Sequence, residues 1–223
     1  KKVNKIKLFI THTHADHSPA AMVIKKNIDC TTFGYGPYKR KKFDTNFEEG
    51  HDLTFKPDVY LKDGDIVKGN GWTIRAIHTP GHTSNHMCYG LEENKILFTG
   101  DTLFSLGCGR LFEGTYEQMW TSLEKIKVLP RETKIYCGHE YTKKNSEFCI
   151  AYDPNNNDLK KKINEINEKR LNNLPTIPTT LGDEITTNIF LRSDNDDIKR
   201  NLNLVGSNSL EVFSKLRDLK DNF

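Results

Sequence analysis

The sequence has no apolar run approaching the roughly 18 residues that a membrane-spanning helix requires, which excludes a helical membrane anchor within it. Its five cysteines (Cys30, Cys88, Cys108, Cys137 and Cys149) are odd in number and scattered, with no C-x-x-C pair. A disulfide framework is therefore not expected, and a reducing compartment, the cytoplasm, is. The opening Lys1-Lys2-Val3-Asn4-Lys5 is followed by no apolar segment of the kind a signal peptide carries. Neither sign of charge dominates: 33 Lys and Arg against 30 Asp and Glu leave a net +3. That balance makes no case for nucleic acid, but it suits a small anionic substrate. No Ser or Cys nucleophile motif stands out.

What is there is the profile of a globular chain. Its 223 residues, 35% hydrophobic and 28% charged, fit one domain or one domain with a small appendage. Lys5–Ile10 reads as a strand and residues 11–17 as a polar, His-rich loop. Ser18 and Pro19 read as the N-cap and first residue of a short helix. Residues 27–61 carry little periodicity. After the turn signal Asp63-Gly64-Asp65 come strands at Trp72–Ile77, Met87–Leu91 and Ile96–Phe98. Apolar positions Met119, Trp120, Leu123, Ile126 and Leu129 recur at helical spacing and stop at Pro130. Lys134–Cys137 is a further short strand. Beyond His139 the character turns helical. Asp158 reads as the cap of a helix with apolar positions Leu159, Ile163, Ile166 and Leu174, and Leu210, Phe213, Leu216 and Leu219 mark a last amphipathic helix.

The chemistry concentrates in Thr11-His12-Thr13-His14-Ala15-Asp16-His17, with three imidazoles and a carboxylate in seven residues at the end of a strand. In an extended stretch His12 and His14 point the same way, and Asp16 and His17 then turn toward a second centre. His82, Asp101 and His139 each follow a predicted strand. Imidazole and carboxylate without thiolate suit zinc, iron or manganese at a hydrolytic site. Seven ligands are too many for one tetrahedral ion and fit two that share a carboxylate. His51, His78 and His86 lack this support and read as structural or supporting residues.

The pattern His12-x-His14-x-Asp16-His17 followed by His82, Asp101 and His139 resembles the metallo-β-lactamase superfamily. That resemblance implies an α+β fold, the αββα sandwich, with a dinuclear site on one sheet edge. One ion would take His12, His14 and His82, the other Asp16, His17 and His139, with Asp101 bridging. Within the superfamily, residues 98–104, 107–115 and 136–142 resemble glyoxalase II, the hydroxyacylglutathione hydrolases, as do 178–192 and the closing segment from Arg217 to Phe223. This divides the chain into a catalytic domain (1–150) and a helical glutathione-binding domain (151–223). Arg110, Phe112, Tyr141, Arg217 and Lys220 fall at positions that the family uses to hold glutathione. Phe112 stands where a Tyr is common, so one hydroxyl contact would be absent. Arg217 and Lys220, three apart, share a helix face, and cationic side chains at a pocket mouth can pair with the two glutathione carboxylates. Residues 33–58 look closer to another branch, which includes an endoribonuclease. The chain starts at the strand that feeds the first metal motif, where the family has several strands before it, so N-terminal strands are read as missing.

The resemblance implies a monomeric thioester hydrolase that acts on an S-(2-hydroxyacyl)glutathione such as S-D-lactoylglutathione, with two divalent ions, zinc foremost. Asp16 and Asp101 would be its catalytic carboxylates, Asp16 orienting the attacking water. A thiolate leaves readily without acid help, so Cys108 and Cys137 read as packing residues. The alternatives are an RNA-cleaving hydrolase of the same fold and a metal-binding chain without turnover. The basic run Lys39-Arg40-Lys41-Lys42 reads as a solvated loop.

Overall fold

A computed structural model describes residues 6–36 and 55–223. His51 and the basic run at 39–42 lie outside the described residues. Strand β1 (Ile6–Phe9), helix α1 (Pro19–Asn27), β2 (Cys30–Tyr35) and β3 (Val59–Leu61) form the first layers, with β1, β2 and β3 paired in parallel. Among the described residues β1 is an edge strand, and its Ile6 is exposed. The second sheet contains β4 (Ile66–Gly69), β5 (Trp72–His78), β6 (Met87–Leu91) and β7 (Ile96–Gly100), joined by antiparallel pairings. A hairpin, β8 (Leu103–Phe104) and β9 (Gly107–Cys108), follows, then α2 (Tyr116–Lys127) and β10 (Lys134–Cys137). The remainder comprises α3 (Thr142–Tyr152), α4 (Asn157–Leu171), β11 (Thr179–Thr180), α5 (Leu181–Thr187), α6 (Asp196–Asn201) and α7 (Ser209–Asp221).

Alternation along the strands builds the layers. On β5 and β6, Ile74, Ala76, Met87 and Tyr89 point one way and pack with Phe33 and Leu61 of the first sheet. Ile77 and Cys88 point the other way, into a second core with Leu97, Ile135, Met119, Leu123 and Ile126. Helix α1 covers the outer face of the first sheet through Ala21 against Ile10 and Phe55. The result is the αββα sandwich that the ligand pattern implies. The second core continues without a break into Leu159, Leu181, Phe190, Phe213 and Leu216. The helical region is thus built into the main core, and its β11 adds a strand to the second sheet beside β10.

Several local readings need correction. Ser18 precedes α1 but makes no side-chain cap bond, because its backbone is already helical. Asn156 caps α4, its side chain accepting from the Asp158 and Leu159 N–H groups, so Asp158 sits inside the first turn. Leu174 lies past the end of that helix and is exposed. Strand β2 falls in the stretch without periodicity. It lies in a parallel sheet and is largely buried on both faces, so no alternation marks it.

Topology positions the site. Strand β7 is antiparallel to β6, which is antiparallel to β5, and β10 is parallel to β7. Strands β5, β7 and β10 therefore run the same way, and their C-terminal ends share one sheet edge. The Met87 N–H donates to the Thr11 carbonyl at 2.8 Å, which brings the loop leaving β1 to that edge.

Candidate metal centre

All seven predicted ligands meet at this edge. The His14 Nδ1 atom lies 3.0 Å from both His12 Nε2 and His82 Nε2. The His139 Nε2 atom lies 3.1 Å from His17 Nε2 and 3.3 Å from Asp16 Oδ2. Two triads result, His12/His14/His82 and Asp16/His17/His139, each with its ligand atoms within 4.8 Å of one another. Asp101 touches both: its Oδ2 is 3.5 Å from His82 Nε2 and 3.4 Å from His139 Nε2, and its Oδ1 is 3.5 Å from His17 Nε2.

The donor set fits divalent cations. A tetrahedron with metal–nitrogen bonds of about 2.0–2.1 Å has edges of about 3.3 Å, the spacing these atoms approach. The His82 Nδ1–H donates to the Arg110 carbonyl at 2.7 Å, which leaves the Nε2 lone pair facing inward. Burial, reinforced by neighbouring imidazoles, holds His12 far below the usual histidine range and brings His82 down to about 3. Burial also lowers His17. These rings are thus held in the neutral form that an imidazole needs to bind a cation. Asp101 is pushed up to about 7, by burial first and by the Asp16 charge second. Its buried Oδ1 has no hydrogen-bond donor among the described residues. A cation would supply what this carboxylate lacks. Gly138 makes room for it: a Cβ there would stand 2.3 Å from Asp101 Oδ1 and 2.9 Å from the His17 ring.

The cluster forms the floor of a cavity of about 820 Å³. Arg110, Phe112, Tyr141, Arg217 and Lys220 all line it. Phe112 stands exposed with its ring centroid 5.3 Å from those of His14 and His82. Tyr141 stacks on His139 at 5.0 Å. Arg110 reaches Asp221 Oδ1 at 3.2 Å. Lys220 lies over the Phe148 and Phe223 rings, and burial followed by the nearby Arg217 charge lowers its pKa. Arg217 differs from the picture of a cation at the pocket mouth. It is only 4% exposed, donates to the Cys108 carbonyl at 2.8 Å and to Asp221 at 3.0 Å, and stacks on Phe190. Sequence reading missed Lys144 and Asn145, which also line the cavity. Lys144 lies one helical turn beyond Tyr141 on α3, a spacing that pointed to the same face. Cys108 is buried and Cys137 half-buried, and burial raises both thiols, Cys137 to about 11, as befits packing residues. His78 stacks on Tyr35 away from the ligand atoms, whereas His86 binds the Asp101 main chain.

Comparisons with known proteins identify the fold and the family. Residues 5–139 match the model for the metallo-beta-lactamase superfamily, and residues 140–223 match the model for the hydroxyacylglutathione hydrolase C-terminus. The chain is 46% identical over 213 residues to a hydroxyacylglutathione hydrolase of Pelagibacter ubique, covering 96% of this chain and 78% of that one. It is 41% identical to one from Rhodopseudomonas palustris and 43% identical to one from Rhizobium etli, covering 79% and 80% of those proteins and 96% and 97% of this chain. Among solved structures, ETHE1 from Myxococcus xanthus superposes with a TM-score of 0.58 at 20% identity, covering 98% of this chain and 77% of that one. The BLEG-1 B3 metallo-beta-lactamase gives 0.59 at 20%, covering 83% and 77%. Both share the fold. The curated relatives span both halves of the chain, so the apparent kinship of residues 33–58 with another branch gives way to one family throughout. No helix among the described residues is long and apolar enough to cross a membrane. The chain belongs to the hydroxyacylglutathione hydrolase family, glyoxalase II, of the metallo-β-lactamase superfamily.

Proposed function

We propose that this chain hydrolyses S-(2-hydroxyacyl)glutathione thioesters, such as S-D-lactoylglutathione, to glutathione and the 2-hydroxy acid. The observation that carries the reading is one cavity that holds Asp101 and His139 on its floor and Arg110, Lys144 and Lys220 on its walls. A thioester carbonyl placed against the carboxylate–imidazole floor leaves the peptide carboxylates among the cations. His12, His14 and His82 would hold one divalent ion, and Asp16, His17 and His139 the other, with Asp101 shared. Zinc suits the imidazole-rich donor set. When bound, the two ions lower the pKa of a water from 15.7 toward about 7 and polarise the thioester carbonyl.

The side chains supply the rest. Asp16, more than half exposed to the cavity, accepts a hydrogen bond from the attacking water and orients it. Phe112 and Tyr141 line the same cavity beside the cluster, where they would contact the bound glutathione thioester. The leaving thiolate needs no proton donor, in keeping with the raised, packed thiols of Cys108 and Cys137. Residues 1–150 are the catalytic domain in this reading and 151–223 the glutathione-binding one. The five free thiols support a reducing compartment, the cytoplasm. Because one chain supplies every residue of the site, a monomer suffices.

The deciding experiment is hydrolysis of S-D-lactoylglutathione by the purified chain, with metal content measured on the same sample. Absence of turnover in a folded, two-metal preparation removes the proposal.

A further inference from the structure

One buried imidazole outside the seven touches both His12 and the Asp101 main chain. His86 stands at the entry to β6 with no exposed surface. The Asp101 N–H donates to its Nε2 at 3.0 Å. That bond settles the tautomer: Nε2 accepts, so Nδ1 carries the proton. Nδ1 lies 2.9 Å from the Thr79 hydroxyl and 3.0 Å from the Thr102 hydroxyl. Both ring nitrogens are thus engaged, and His86 offers no atom for a metal.

The ring also packs at 5.0 Å against His12, whose loop leaves the first sheet. Its chain neighbour Met87 donates to the Thr11 carbonyl in that same loop. Asp101, by contrast, leaves β7 of the second sheet. The turn before it is built against the imidazole. Gly100 adopts a φ of +47°, and a Cβ there would lie 2.6 Å from His86 Nε2.

We infer that His86 is a positioning residue that sets the separation between His12 and Asp101 across the two sheets, and through it the affinity of the dinuclear site. The inference rests on the metal reading above. Without the ring, the Asp101 N–H becomes a buried donor with no acceptor, and its carboxylate loses a fixed distance to both triads.

The test is zinc titration of the full chain against a chromophoric chelator, with bound metal counted, in wild type, His86→Gln and His86→Asn. Glutamine can place an acceptor where Nε2 stood; asparagine reaches only the Nδ1 side. His86→Gln is expected to hold two ions with affinities within about threefold of wild type, and His86→Asn to lose about 10–100-fold for at least one ion. Wild-type affinities in His86→Asn, or equal losses in both variants, overturn the inference. Should the asparagine variant not fold, ¹⁵N NMR of the zinc-loaded wild type decides. A proton on Nδ1 and a coupling from the Asp101 amide to Nε2 support the role, and a proton on Nε2 refutes it. A wild type that binds no zinc sinks both this inference and the metal reading beneath it.

Discussion

The guanidinium of Arg217 donates to the main-chain carbonyl of Cys108, joining the last helix to the hairpin that lines the cavity. The contact spans 109 positions of sequence and is buried. Arg217→Ala leaves that carbonyl without its donor and removes a cation stacked on Phe190. A loss of about 2–3 kcal/mol is expected in urea unfolding, because hydrogen bonds from charged groups are worth about 1.5–3 kcal/mol. Arg217→Lys should recover part of the stability, since it keeps the charge but not the planar fork. An unchanged midpoint in Arg217→Ala would mean that the contact is idle.

Lys144 and Lys220 behave differently from the arginines. Arg110 and Arg217 share the Asp221 carboxylate. Neither lysine has a carboxylate within ion-pair distance among the described residues, so both are available to an anionic substrate. Lys144→Ala and Lys220→Ala should each raise KM about 5–20-fold with kcat within about twofold, the signature of uniform binding. Steady-state kinetics on S-D-lactoylglutathione checks this; a fall in kcat at constant KM contradicts it.

Gly138 faces the Asp101 carboxylate at a distance no side chain tolerates. Gly138→Ala should push Asp101 aside and lower kcat/KM about 100-fold or more, since displacements near 1 Å at reacting centres cost that much. Circular dichroism should show the fold intact, because Gly138 is exposed. Wild-type kinetics in this variant would place the reacting groups elsewhere.

Acid should destabilise the metal-free chain. Burial, the largest cause in each case, lowers the folded-state pKa of His12, His17, His78, His82 and His86 below the ordinary 6.5. Their stabilising contribution is complete above pH 6.5. It declines as pH falls toward each folded value, about 3 for His82, because the unfolded chain takes up protons that the folded one refuses. Asp101, raised to about 7, works the other way between pH 7 and about 4, but it is one group against five. At about 1.4 kcal/mol per pH unit for each fully shifted group, chelator-treated protein should lose several kcal/mol between pH 7 and pH 5. Urea unfolding at the two pH values measures it, and a flat profile contradicts the burial of these rings.

Much of this was legible in one dimension. The spacing His12-x-His14-x-Asp16-His17 needs only an extended segment and a turn, so local geometry alone brings four candidate ligands together. His82, Asp101 and His139 were readable because each follows an apolar run that ends in a glycine-containing loop. The strand at 72–78 and helix α2 announced themselves because one face is buried and periodicity survives, whereas 87–91, buried on both faces, was legible only as a short apolar run. Strand β2 was not, since burial on both faces erases the alternation, and Asn156 was missed as a cap because Asp158 offers the same chemistry two residues later.

Other matters belonged to the tertiary structure. Composition could not say that Arg217 is buried, because burial depends on Phe190 and the hairpin closing over it. Nor could it separate His86 from His78, two histidines near the same motif. One has its ring enclosed between two sheets, with a main-chain N–H aimed at it; the other lies against a tyrosine away from the cluster. Which atoms are neighbours across 70 or 120 residues is set by strand order and direction, a property of the folded chain that residue types alone do not carry.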